Sequence, residues 1–251
     1  MQSLTILNDI VNLLFPRQCA MCGERLSTQE EFLCVNCLRK LPYTNSHLLP
    51  ENPIEKLYWY HIPIERVASY LYYSSEKTKR IFYDMKYYSS PMIGVYMGRM
   101  MARDMMAAGV FDGVEVIVPV PLAWRKRLSR GYNQCDYLSQ GIREVTGLPI
   151  ERKAVKRTVN NPTQTRLTHE ERRENVKDIF TLVHPERLRG KHILIVDDVI
   201  TTGETSLSFA REIMKAGDVK FSVVSLGYAG EPFFVSPQKN EKTENDDKIL
   251  C

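Results

Sequence analysis

The stretch HILIVDDVITTGETSLSFA, residues 192–210, decides how the rest of the chain is read. Ile193, Leu194, Ile195 and Val196 form a short, mostly β-branched apolar run, the pattern of a strand buried on both faces of a parallel sheet. Two acids, Asp197 and Asp198, end the run. The turn Thr201, Thr202, Gly203, Glu204, Thr205 then leads into a helical pattern in which Leu207, Ala210 and Met214 line one face, with Phe209 and Ile213 close beside it. Gly217 supplies the helix stop and KFSVVSLGYA, residues 220–229, reads as the next strand. Strand, helix, strand in one stretch is a βαβ unit, so the fold class is α/β with a parallel sheet flanked by helices.

Ligands of open parallel sheets lie beyond the carboxyl ends of the strands, where the next helix begins. Backbone N–H groups and hydroxyls of residues 201–205 suit a phosphate, while Asp197 and Asp198 can accept hydrogen bonds from sugar hydroxyls or assist a divalent cation. The ligand implied carries a phosphate and a diol together. The structural alternative is a pair of turn-forming acids and a Thr-capped helix. The chain has no G-x-x-x-x-G-K-[ST] loop and no G-x-G-x-x-G fingerprint, which argues against P-loop and dinucleotide readings.

A second signal stands near the front. CAMCGERLSTQEEFLCVNC spaces Cys19, Cys22, Cys34 and Cys37 as C-x2-C-x11-C-x2-C, which lets two thiolate pairs close a tetrahedron suited to structural Zn²⁺. Ordinary free cysteines and an iron–sulfur cluster are the alternatives. Four thiolates leave no open position, so the site is structural, and Gly23 supplies the tight turn such a knuckle needs. Four of the six cysteines cluster there, which fits metal binding in a reducing compartment better than disulfides.

The remaining chain is organised around these two signals. Residues 1–60 read as an N-terminal helix ended by Pro16, the knuckle, and a proline-bearing linker over 41–60. Residues 61–230 form the main domain and 231–251 a polar, disordered tail. VASYLYYS reads as a strand, TKRIFYDMKYY as a short helix or turn, the methionines of 92–108 as a core-filling helix, and EVIVPVP as a buried strand. Leu138, Ile142 and Val145 fit a helix closed by Gly147, and residues 153–177 read as a long exposed loop. Lys77, Lys79, Arg80 and Lys86 interleave with tyrosines, and Arg125, Lys126, Arg127 and Arg130 cluster, each either a solvated face or a nucleic-acid surface. His47, His61, His169 and His192 read as non-catalytic. Composition is globular, with 43% hydrophobic and 25% charged residues, and a net charge of +4 demands no polyanionic partner. No apolar run is long enough to span a bilayer and no secretory leader pattern is present, so the chain is expected to be cytoplasmic.

LIVDDVITTGET resembles the phosphoribosyl-diphosphate motif of the type I phosphoribosyltransferases. With the cysteine knuckle, with Lys86 beside Tyr87, with Arg127, Arg130, Gly131, Asn133 and Gln134 of RLSRGYNQ, and with Gln164, Leu167, Arg172 and Asn175 of TQTRLTHEERRENV, the chain resembles the ComF family of competence-associated proteins. The resemblance covers about residues 15–230 and implies a type I phosphoribosyltransferase-like fold behind a zinc knuckle. It implies that Asp197 and Asp198 hold the ribose hydroxyls and that Thr201, Thr202, Gly203, Glu204 and Thr205 cradle the 5-phosphate. The turn with Pro121 and Leu122 would meet the diphosphate with its Mg²⁺, helped by Lys86, Arg127 and, from the loop near 158–175, Arg172 or Arg173. Partners implied are the phosphosugar, single-stranded DNA and proteins of DNA uptake, and the reaction class is transfer to a nitrogen nucleophile, for which no acceptor pocket is legible.

Overall fold

The computed structural model describes residues 17–87, 90–158 and 179–233. The expected N-terminal helix, the segment bearing Gln164, Leu167, His169, Arg172, Arg173 and Asn175, and the tail beyond 233 lie outside the described residues. In chain order the strands are β1 (Ile64–Tyr72), β2 (Val116–Pro119), β3 (Val155–Arg157), β4 (Phe180–Leu182), β5 (His192–Ile200) and β6 (Lys220–Tyr228). The helices are α1 (Val35–Leu38), α2 (Glu76–Tyr87), α3 (Met92–Met106), α4 (Trp124–Arg130), α5 (Gln134–Thr146) and α6 (Glu204–Ile213).

Four strands form a wholly parallel sheet in the order β1, β6, β5, β2. The apolar run of β5 is explained by its central place: Leu194 and Val196 enter one core, Ile193 and Ile195 the other. On the first face lie α2, α3 and α5. α2 buries Thr78, Ile81, Phe82 and Met85, a helical stripe, and the methionine pattern of α3 fills the core as expected, with Met97, Met101 and Met105 fully buried. Each such side chain contributes about 1.5–3 kcal/mol. α3 and α5 touch backbone to backbone, since a Cβ on Gly98 would lie 2.3 Å from the Leu138 carbonyl oxygen and one on Gly141 would lie 2.1 Å from that of Val95.

The second face carries α6 and a two-stranded antiparallel ribbon of β3 and β4. This corrects the expectation of a long exposed loop from 153: Ala154 and Val155 are buried, and β3 pairs with β4 from Val155↔Leu182 to Arg157↔Phe180. A three-residue strand is too short to register as a period among polar neighbours. Met214 also departs from expectation: α6 ends at Ile213, the chain tightens into a single 3-10 turn, and Met214 is exposed.

Residues 41–60 are irregular, as their prolines suggest, yet they are tied into the core. Asn52 is buried, its amide donates to the carbonyls of Ser46 and Val67, and its oxygen accepts from the N–H groups of Ile54 and Glu55. One side chain thereby satisfies backbone groups that no helix or sheet serves. The knuckle likewise joins the first core: Leu33, Leu41 and the cysteines pack with Leu71, Ile81 and Met97, Phe32 meets Tyr96 at 5.5 Å between ring centroids, and Glu31 pairs with Arg99 at 3.0 Å. Among the described residues no helix is long and apolar enough to cross a membrane.

Candidate functional site

β2 stops pairing with β5 at Pro119↔Val196, while β5 continues beside β6 to Ile200. Beyond Val196 one side of β5 is therefore free of a strand among the described residues, and Asp197 and Asp198, the sixth and seventh of its nine residues, stand in that opening rather than after the strand's end. The chain leaving β2 turns through Pro121, Leu122 and Ala123, all half-buried, into α4.

The two acids have different surroundings. Asp198 Oδ2 receives Lys86 Nζ at 3.0 Å and Gln134 Nε2 at 2.8 Å, and its Oδ1 accepts the Val199 N–H at 2.8 Å. Burial opposes its ionisation, but the Lys86 charge and these hydrogen bonds hold its carboxyl below the usual range. Asp197 is 6% exposed, and its Oδ1 accepts the Asp198 N–H at 2.8 Å. Burial, then the charge of Asp198, push it up to about 8. The buried Cys135 thiol lies 4.0 Å from Asp197; burial and the two acids push it well above the ordinary thiol range.

The residues RGYNQ between α4 and α5 wire this opening together. Arg130 donates to the side-chain oxygen of Gln134, fixing the amide that meets Asp198. Asn133 caps α5 by accepting from the Cys135 N–H and donates to the Val120 carbonyl, and the Tyr132 hydroxyl donates to the Met85 carbonyl on α2 at 2.7 Å. Arg127 stands exposed on α4, where its charge acts on Asp136.

The turn after β5 leaves Thr201, Thr202, Glu204 and Thr205 exposed and Gly203 buried at the head of α6. Gly203 has φ +75°, and a Cβ there would lie 3.3 Å from Cζ and the hydroxyl of Tyr58. Tyr58, fully buried, meets Ser206 Oγ at 2.6 Å, and Ser206 donates to the Gly203 carbonyl at 3.0 Å. The floor of the turn thus comes from the irregular segment before β1. Sequence reading gave Tyr58 no role, because nothing local to 41–60 signals a partner 148 positions away. Gln134 and Arg157 were likewise not among the candidate site residues, although Gln134 carried part of the family resemblance.

The four cysteines are brought together as their spacing predicts: one ligand atom from each of Cys19, Cys22, Cys34 and Cys37 lies within 4.8 Å of the others. Cys22 Sγ and Cys34 Sγ are 3.8 Å apart, matching the edge of about 3.8 Å that a tetrahedron with Zn–S of about 2.3 Å requires. Burial opposes ionisation of Cys19, but hydrogen bonds from the backbone N–H groups of Cys34, Cys22 and Met21 bring it down to about 7, whereas burial pushes Cys22 and Cys37 up, so the fit to a metal rests on the sulfur geometry. Glu30 accepts from the N–H groups of Ser27 and Val35, and Arg17 donates to the carbonyls of Ser27 and Glu30, so the cluster is braced from outside. The residues fit a structural Zn²⁺.

A parallel α/β sheet with flanking helices, carrying an acidic pair at one strand end and a four-cysteine metal module at its front, is the class this chain occupies. Residues 10–48 match a family model described as a double zinc ribbon domain. The chain is 30% identical over 211 residues to the DNA utilization protein YhgH of Escherichia coli K12, covering 83% of this chain and 88% of that protein. It is 30% identical over 213 residues to competence protein F of Haemophilus influenzae, covering 84% of each. The chain belongs to the ComF competence-protein family. Among solved structures it overlaps a glutamine phosphoribosylpyrophosphate amidotransferase from B. subtilis complexed with ADP and GMP, at 20% identity over 56% of this chain and 30% of that one, with a TM-score of 0.38, too low to carry an argument.

Proposed function

We propose that this ComF-family chain is a phosphoribosyltransferase-like protein that binds 5-phosphoribosyl 1-diphosphate with Mg²⁺ and acts in DNA uptake, as the names of its relatives suggest. The observation that carries the reading is the opening beside β5: two acids, one ionised between Lys86 and Gln134, lie next to an exposed hydroxyl-rich turn at the start of a helix. That pairing suits a ligand with a diol and a phosphate, because acids beside a phosphate need hydroxyls between them. In this reading Asp197 and Asp198 accept from the ribose hydroxyls, residues 201–205 donate to the 5-phosphate, and the turn with Pro121 and Leu122 faces the diphosphate. Lys86 holds Asp198 ionised and in place; Arg127 and Arg172 are the further candidates for the diphosphate charge. Departure of diphosphate leaves positive character at the anomeric carbon, which the ionised Asp198 would stabilise before a nitrogen nucleophile attacks. Mg²⁺ bound with the diphosphate would supply charge neutralisation there. The zinc module fixes the front of the fold.

Isothermal titration of zinc-loaded protein with 5-phosphoribosyl 1-diphosphate and Mg²⁺ tests this. Micromolar binding that is lost in Asp198→Asn supports it, and absence of binding refutes it.

A second reading has its own observation. On α4, Trp124 and Leu128 are exposed at 53% and 69% beside Arg125, Lys126 and Arg127, while Arg130 lies 5.4 Å from the Tyr87 ring, whose centroid is 4.8 Å from that of Tyr83 with the two rings tilted at 42°. Exposed rings among cations suit single-stranded DNA. Salt-dependent binding of an oligonucleotide, weakened when Arg125, Lys126 and Arg127 are neutralised, supports it; no binding at low salt refutes it.

A further inference from the structure

Arg157 is the last residue of β3 and the last described before the 159–178 segment but one, and its surroundings are unusual for a guanidinium. Its Nε is buried and, among the described residues, has no hydrogen-bond partner. No carboxylate pairs with it among the ion pairs of the described residues, whereas two other partly buried cations near the acids are engaged: Lys86 with Asp198 and Arg130 with Gln134. Its guanidinium lies 5.4 Å from the centroid of the Phe180 ring, which packs in turn on Phe209 of α6 at 4.9 Å. One flat face is thereby covered and the fork is held in a fixed attitude.

Arg157 and Asp197 act on each other electrostatically, yet no hydrogen bond or ion pair joins them. The acidic pair is thus flanked unequally. On the α2 side a cation closes on Asp198; on the ribbon side a cation acts on Asp197 without an ion pair among the described residues, and its Nε donor is unused. A buried donor without a partner costs about 1–3 kcal/mol, a cost recovered when a ligand supplies the acceptor. The group an arginine fork accepts best is a carboxylate or phosphate, by two parallel hydrogen bonds.

We infer that Arg157 binds an oxyanion of the ligand held at the acidic pair, on the side opposite Lys86. This rests on the reading that a ligand binds beside Asp197 and Asp198, and goes beyond it by naming the chemistry required on the ribbon side. Two sources present that chemistry: the diphosphate of the phosphosugar, or the carboxylate or phosphate of an anionic acceptor.

The test compares wild type, Arg157→Gln and Arg157→Lys, zinc-loaded, by isothermal titration with five probes: 5-phosphoribosyl 1-diphosphate with Mg²⁺, inorganic diphosphate with Mg²⁺, ribose 5-phosphate, and the aromatic carboxylates orotate and nicotinate with the phosphosugar present. The expected result is at least a tenfold loss of affinity in Arg157→Gln for one anion, an intermediate loss in Arg157→Lys, and unchanged ribose 5-phosphate binding. Loss toward both diphosphate probes assigns the oxyanion to the phosphosugar; loss toward an aromatic carboxylate alone assigns it to the acceptor. Arg157-dependent binding of inorganic diphosphate in a protein that ignores both phosphosugars leaves this inference standing and removes the proposed function. Affinities within twofold of wild type for every probe, or a wild type that binds none of the anions, overturn the inference. The urea midpoint of ligand-free Arg157→Gln is expected to lie at or above that of wild type, since the variant no longer buries an unpartnered charged donor; if that variant does not fold, the Arg157→Lys series decides by the same criteria.

Discussion

Asp197→Asn removes one charge while keeping the shape of the side chain, and its consequence for stability follows from the surroundings. The amide oxygen can still accept the Asp198 N–H that Asp197 Oδ1 accepts at 2.8 Å. The groups that face Asp197 are Asp198, which Lys86 holds ionised, the Cys135 thiol, and Arg157 at a remove. Burial and the Asp198 charge raise Asp197 from an ordinary 3.8 to about 8. The sign follows: the folded chain keeps this proton after the unfolded chain has released it. The stabilisation is fully present below the unfolded value and is lost as pH rises toward the folded one. One proton sets a slope of about 1.4 kcal/mol per pH unit, so between pH 5 and pH 7 the wild type loses roughly 3 kcal/mol through this group and the asparagine variant does not. Urea unfolding of zinc-loaded protein at several pH values measures it. The advantage of the variant over wild type is expected to grow by roughly 3 kcal/mol across that interval. A difference that stays constant with pH would refute the reasoning.

Lys86→Met leaves Asp198 with Gln134 and the Val199 N–H but no cation; both members of the pair are mostly buried, at 23% and 16% exposure, so a loss of about 2–4 kcal/mol is expected at pH 7. Because the Asp198 pKa is depressed, that contribution exists above the ordinary carboxylate range and fades as pH falls, so the two urea curves should converge below about pH 4. Gly203→Ala forces a side chain into φ +75° against Tyr58, and a destabilisation of about 1–3 kcal/mol is expected; an unchanged urea midpoint contradicts the description of that turn. Chelation of zinc, or Cys34→Ser, is expected to lower the stability of the whole sheet in one transition, because the cysteines and the sheet share a core. Circular dichroism showing an intact sheet beside a melted knuckle would contradict it.

What was legible in the sequence follows from how local each signal is. The cysteine knuckle depends on residues within one short hairpin, and β5 depends on burial on both faces, which writes an unbroken apolar run. Both were readable. The acids were placed correctly at the open end of β5, but their unequal states were not readable, since Lys86 lies 112 positions from Asp198 and Gln134 lies 64 away. The ribbon of β3 and β4 escaped because three residues cannot declare a period. Tyr58 escaped because prolines marked 41–60 as a connection, whereas Asn52 and Glu55 bind that segment to β1 through single hydrogen bonds.

The backbone contact between α3 and α5 has a genetic consequence. A methyl group at Gly141 would have to move α5 by about 1 Å or more to reach an ordinary contact distance from the Val95 carbonyl, 2.1 Å away. Gln134 begins that same helix, and its 2.8 Å bond to Asp198 does not survive a displacement of that size. A mutagenesis screen scored for loss of activity would therefore return Gly141, two turns of helix from Gln134, and Gly98 on the neighbouring helix among its strongest hits, and a map drawn from that screen alone would mark as part of the site two residues that can touch no ligand.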